Sequence, residues 1–174
     1  MDEVNACPQA ACPQAVSLAE ILIQTFSSRC KTIVLAESCT AGLAADLLAQ
    51  IPGVSRVLWG AYVCYTIEAK ISMLGLDRRR LLHFGLVSRE TACDMASAAL
   101  EKSGANMAAA VTGLAGPGGD GGTAPVGAVW VAVAAQGAGI VSAKQFHFTG
   151  PRNETRFKAA LAALEALLEA SLLQ

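Results

Sequence analysis

Three side chains able to act as nucleophiles, Ser38, Cys39 and Thr40, stand together where the pattern of the chain changes. Thr32 to Leu35 is a β-branched, apolar run of the kind that forms a buried strand. Leu43, Leu47, Leu48 and Ile51 then recur at helical spacing, and Pro52 with Gly53 ends that helix. Ser38 therefore falls at a strand-to-helix turn, where open α/β sheets expose reactive groups. Unpaired N–H groups at a helix start suit a phosphate or the oxyanion of an acyl-transfer intermediate. The N–H groups from Cys39 to Gly42 are the expected oxyanion donors. Ser and Thr are also preferred N-caps, a purely structural use of the same residues.

A serine nucleophile needs a base. The chain has two histidines, His83 among arginines and His147 in a strand-like run, and neither accompanies a nucleophile motif, so a Ser-His triad has little support. A desolvated lysine can take that role. Lys70 follows a strand-like segment and has Ala69, Ile71 and Met73 around it, although most lysines on short helices face solvent. Tyr65, where that segment ends, is placed to relay a proton or to hold the lysine; a strand-end aromatic is the alternative. Cys39 is a rival nucleophile, but no basic partner stands near it to lower its pKa. Thr112 to Pro125 is the most Gly-rich stretch, able to bring backbone N–H groups close to a phosphate or oxyanion. It matches neither the P-loop nor the dinucleotide fingerprint, and a surface loop has the same composition. Arg152, Arg156 and Lys158 stand at the start of the last helix, against its dipole. An anion site carries that conflict, and so do solvated cations.

The elements that must position these residues follow from periodicity. Helices are expected over 13–28, from Leu43 to the Pro52-Gly53 stop, over 66–74, 78–83, 88–103 and 153–172, with Asp77 and Ser88 as N-caps. Strands are expected at Thr32 to Leu35 and over 54–65, 107–111, 126–134 and 140–148, the last two joined by a turn at 136–139. Helices between strands predict an α/β fold. The expectation is a three-layer α/β/α sandwich with a mainly parallel, mixed sheet of about five strands and one antiparallel pair late in the chain. Residues 1–12, with the duplication of Ala6 to Ala10 in Ala11 to Ala15, read as a loose N-terminal arm, and 13–174 as a single domain.

A chain of 174 residues is long enough to bury one good core. It is 53% apolar, but every apolar run is short and interrupted, so neither a membrane span nor a signal peptide is expected and the reading is cytoplasmic. A net charge of −1 argues against a nucleic-acid or anionic membrane partner. The six cysteines include no Cys-x-x-Cys and the histidines lie far apart, so no metal is expected. The apolar excess favours a homo-oligomer.

Four blocks taken together resemble a known family. They are Ala36 to Gly42, Tyr65 to Lys70, Val87 to Ala92, and Val111 to Gly119. In this order, from about residue 17 to the end, they are similar to the C-terminal domain of CinA, the competence/damage-inducible protein, whose stand-alone members are PncC-type nicotinamide-nucleotide amidases. The resemblance implies hydrolysis of the carboxamide of nicotinamide mononucleotide, a small-molecule partner, to nicotinic acid mononucleotide and ammonia by a Ser/Lys mechanism, with no cofactor. It implies that Ser38 is the nucleophile and Lys70 the general base. Tyr65 would assist proton transfer, and Thr112 would contact substrate or lysine. Arg152 would bind the substrate phosphate, and Glu37, Cys39, Thr40, Gly42 and Gly113 would line the substrate site. Two positions depart from the family. Ala41 replaces a usual glycine, adding a methyl at the helix start that is expected to crowd the substrate, and Ile67 replaces a usual Asn beside the site. If those changes ended turnover, a non-catalytic nucleotide-binding module is the alternative.

Overall fold

The computed structural model describes residues 12–119 and 124–173. The expected N-terminal arm, Cys12 apart, and residues 120–123 of the Gly-rich stretch lie outside the described residues. The element order is α1 (Pro13–Ser28), β1 (Ile33–Glu37), α2 (Leu43–Ala49), β2 (Leu58–Val63), α3 (Ile67–Leu74), α4 (Arg78–Phe84), α5 (Arg89–Ser103), β3 (Met107–Gly113), β4 (Ala128–Ala135), β5 (Gly139–His147) and α6 (Arg152–Leu172). Local chemistry explains several boundaries. Pro13 opens α1, where its missing N–H costs nothing. Thr66, Asp77 and Ser88 each accept a hydrogen bond from the N–H three residues on, which starts α3, α4 and α5. Gly75 and Gly104 take the left-handed conformation that ends α3 and α5.

The five strands form one mixed sheet in the order β2-β1-β3-β4-β5. β1 runs parallel to β2 and to β3, while β4 is antiparallel to both β3 and β5, so four of the five strands point one way. The hairpin at 136–139 supplies the expected antiparallel pair. The second arises at β3/β4, because the Gly-rich connection contains no helix among its described residues and a short return lays β4 beside β3 in reverse.

Alternate residues of the central strands feed two cores. Ile33, Leu35, Met107, Ala109, Val131 and Val133 pack beneath α1, α2 and α6. Val34, Ala36, Ala108, Ala110, Ala132 and Ala134 pack against α3, α4 and α5. The sheet is thereby covered on both faces, giving the α/β/α layering. The carboxyl ends of β1, β2 and β3 meet at one rim of this sandwich, and the candidate chemistry gathers there.

Candidate active site

Ser38 is the first residue beyond β1. Its N–H donates to Val111 O at 3.0 Å, and Cys64 N–H donates to Glu37 O at 2.9 Å, so the ends of all three parallel strands are tied beside it. α3 starts at the Thr66 cap and brings Lys70 round by one turn. Lys70 is 1% exposed. Its Nζ lies 2.9 Å from Ser38 Oγ, 2.9 Å from Cys64 O and 3.4 Å from Tyr65 O. These groups border a cavity of about 180 Å³ whose walls include Ser38, Cys39, Lys70, Leu86, Thr112 and Arg152.

The model of the CinA C-terminal domain family matches residues 15–171. The chain belongs to the CinA C-terminal domain family. A CinA-like protein of Syntrophomonas wolfei is 38% identical over 153 residues, 87% of this chain and 36% of that protein. One from Chloroherpeton thalassium is 43% identical over 159 residues, 88% of this chain and 38% of the relative. The chain thus spans little more than a third of the curated relatives it matches. Among solved structures, the competence/damage inducible protein CihA of Agrobacterium tumefaciens superposes with a TM-score of 0.88 at 39% identity, covering 91% of this chain and 96% of that one. A CinA superfamily protein from Klebsiella pneumoniae gives 0.87 at 28% identity, covering 92% and 99%.

Burial dominates the electrostatics of this CinA-type site. It drives the Lys70 pKa below the ordinary 10.5, against the opposing pull of any charge on Cys64 and Cys39. It also pushes the Cys39 thiol up to about 12, so that the neighbouring thiols are uncharged at neutral pH and offer Lys70 little compensation. A neutral amine fits the site. Nζ donates to Ser38 Oγ and to the carbonyls of Cys64 and Tyr65; deprotonated, it would keep the two carbonyls and turn its lone pair to the Ser38 hydroxyl. Cys39, protonated and buried, is a poor nucleophile.

Several expected roles change. Glu37 does not line the cavity. Its buried carboxylate accepts from the N–H groups of Gly42 (2.9 Å), Ala44 (3.2 Å) and Ala45 (2.9 Å), so the anion at the start of α2 is the chain's own. Gly42 and Thr40 are likewise absent from the wall. The Gly42 N–H is engaged by Glu37 and the Ala41 N–H by Ser38 O at 3.1 Å. Of the expected oxyanion donors, the N–H groups of Cys39 and Thr40 alone lack an acceptor among the described residues. The Thr40 hydroxyl is buried and also unpartnered among them. Tyr65 reaches the lysine with its carbonyl rather than its ring, whose hydroxyl accepts from Arg152 Nη2 at 2.6 Å. Thr112 donates its hydroxyl to Leu86 O at 2.6 Å and does not touch Lys70. Gly113 lines the cavity, but β4 sets its identity: a Cβ there would stand 2.7 Å from a Val129 methyl and 2.8 Å from Ala128 O.

Arg152 spans the cavity mouth, donating to Tyr65 Oη and to Gly116 O at 2.5 Å, and makes no salt bridge among the described residues. Lys158 faces away, donating to Thr149 O and pairing with Glu154. Ala41 is exposed with φ +52°, so the methyl strains the backbone and does not crowd the cavity. Ile67 packs half-buried on the α3/α5 core and is no part of the wall. Sequence reasoning missed the walls supplied by Leu86 and Val87, which nothing in their residue types marks. It also missed what Arg156 does, although the spacing of four from Arg152 puts both on one face of α6.

Proposed function

We propose that this CinA-family chain is a serine amidohydrolase that converts nicotinamide mononucleotide to nicotinic acid mononucleotide and ammonia. The observation that carries the reading is the desolvated Lys70 amine 2.9 Å from Ser38 Oγ in a cavity wall. Ser38 Oγ attacks the carboxamide carbon as its proton passes to Lys70 Nζ. The tetrahedral oxyanion lies against the free N–H of Cys39, the turn residue in the cavity wall. Lys70 then returns the proton to the departing nitrogen, ammonia leaves, and an acyl ester remains on Ser38. Water enters, gives a proton to Lys70 and cleaves the ester to the acid, and the proton returns to Ser38 Oγ. Arg152, with only neutral oxygens as partners, supplies a cation at the mouth for the 5′-phosphate.

Neither Ala41 nor Ile67, the two departures that motivate a non-catalytic nucleotide-binding module, borders the cavity, which favours turnover. Ammonia release from nicotinamide mononucleotide by purified protein, beside Ser38→Ala, tests the proposal. Release by the wild type with a loss of at least about 10³-fold in the variant is expected. Equal release by both proteins, or binding with no release by either, overturns it.

A further inference from the structure

Arg156 lies one helical turn beyond Arg152 but on the far side of the nucleophile turn, and it does not border the cavity. Its Nη2 donates to Thr40 O at 2.8 Å and its Nε to Cys39 O at 3.2 Å, while Nη1 donates to Asn153 Oδ1 at 3.2 Å. No salt bridge among the described residues engages it, so its charge falls on two successive peptide carbonyls. In a trans peptide the C=O and N–H point in opposite directions. With Cys39 O turned to Arg156, the N–H of Thr40 in the same peptide plane is turned away from it, and Thr40 N–H is a donor left without an acceptor. With Thr40 O turned the same way, the Ala41 N–H closes back on Ser38 O. Glu37 holds the other end of the turn through Gly42, Ala44 and Ala45. The turn is clamped from both ends, and the two N–H groups next to the nucleophile are left over.

We propose that Arg156 is a positioning residue for acyl transfer, holding Cys39 O and Thr40 O so that the Ala41 N–H stays on Ser38 O and the Cys39 N–H, opposite that carbonyl in its peptide plane and in the cavity wall, faces the developing oxyanion. The inference rests on the amidase reading. Arg156 acts through the backbone and touches no substrate. The roles of the two arginines therefore separate: Arg152 belongs to binding and Arg156 to the transition state.

The test is steady-state kinetics on nicotinamide mononucleotide for Arg156→Gln, Arg156→Lys and Arg152→Gln, with the rate at which a fluorophosphonate labels Ser38. That probe needs the same oxyanion donors and no amide substrate. Arg156→Gln is expected to lower kcat by about 10–100-fold with KM within about threefold, and to slow Ser38 labelling by about tenfold or more. Arg156→Lys, which keeps the charge but not the fork, is expected to fall between. Arg152→Gln is expected to raise KM instead. A KM effect at Arg156 like that at Arg152 would make it a phosphate ligand and overturn the inference, as would wild-type kcat and labelling in both Arg156 variants. If Arg156→Gln fails to fold, Arg156→Lys carries the comparison alone. If the wild type releases no ammonia, the amidase reading fails, and the labelling rates still decide whether Arg156 positions the turn: slowed labelling supports it and unchanged labelling overturns it.

Discussion

Lys70 faces three oxygens, and its protonation decides what each of them does. As an ammonium it donates to Ser38 Oγ, Cys64 O and Tyr65 O, and Ser38 has no base. As an amine it keeps the two carbonyls and accepts the Ser38 proton. Desolvation favours the amine, and among the described residues no carboxylate offsets the cost of a buried ammonium. On the amidase reading the active form is the deprotonated one. kcat/KM is expected to fall as pH drops through the Lys70 pKa and to level off at a pH below 10.5, following a single ionisation. Lys70→Arg, which cannot deprotonate, should lose activity at every pH. A pH–rate profile checks both. A limb at or above 10.5, or an active arginine variant, would remove Lys70 as the base. The Cys39 thiol, held up at about 12, cannot produce such a limb at neutral pH.

Element boundaries were legible wherever one local signal set them. α1 spans the expected 13–28, and the Asp77 and Ser88 caps start α4 and α5 where the residue types place them. Boundaries shifted where a distant contact decides. Glu37 reads as the exit from a strand, yet β1 includes it, because its backbone pairs with Val63 of β2 and Val111 of β3, while its carboxylate caps α2 across the turn. Val54–Arg56 coils into a 3-10 turn before β2, where Gly53 adopts φ +86°. The site was legible in its residue types. Its pairings were not, because Lys70 and Ser38 stand 32 residues apart and only the β1/β2 register joins them. The turn between β1 and α2 also carries a local cost: Ala41 sits at φ +52°, a conformation a Cβ disfavours by about 1–2 kcal/mol. Ala41→Gly relieves that strain and gives back part of it as chain entropy, so a net gain of about 0.5–1 kcal/mol is expected. Since Ala41 does not border the cavity, KM should stay unchanged. Urea unfolding and kinetics on one preparation test this, and a loss of stability would mean that the turn differs from the one described.

At the scale of the molecule, the sheet's two cores are built differently, and Lys70 stands where they differ. The face under α1, α2 and α6 interleaves alanines with Leu, Ile, Phe and Val side chains. The face under α5 is largely alanine on alanine, with Ala108, Ala110, Ala132 and Ala134 against Ala92, Ala96 and Ala99, so the layers must approach closely to stay packed. Lys70 stands at the margin of that second core, a long polar side chain with almost no access to water. A fold pays for such a residue in stability, and the pH dependence of unfolding exposes the cost. The folded-state pKa of Lys70 lies below its unfolded value near 10.5. Between the two, the unfolded chain binds more protons than the native protein, so unfolding free energy rises with pH across that window. Below the window the full penalty is present. Lys70→Met keeps the length of the side chain and discards the amine, at the expense of the bonds to Cys64 O and Tyr65 O. It is expected to be inactive and, at neutral pH, more stable by about 0.5–2 kcal/mol. That advantage should shrink as pH climbs toward 10.5, because the wild type recovers what protonation had cost it. Denaturant midpoints of the two proteins at pH 7 and pH 10 measure the trend. A gap that is flat or widening between those two conditions would mean that Lys70 is not held neutral by the fold, and the general base would have to be sought elsewhere.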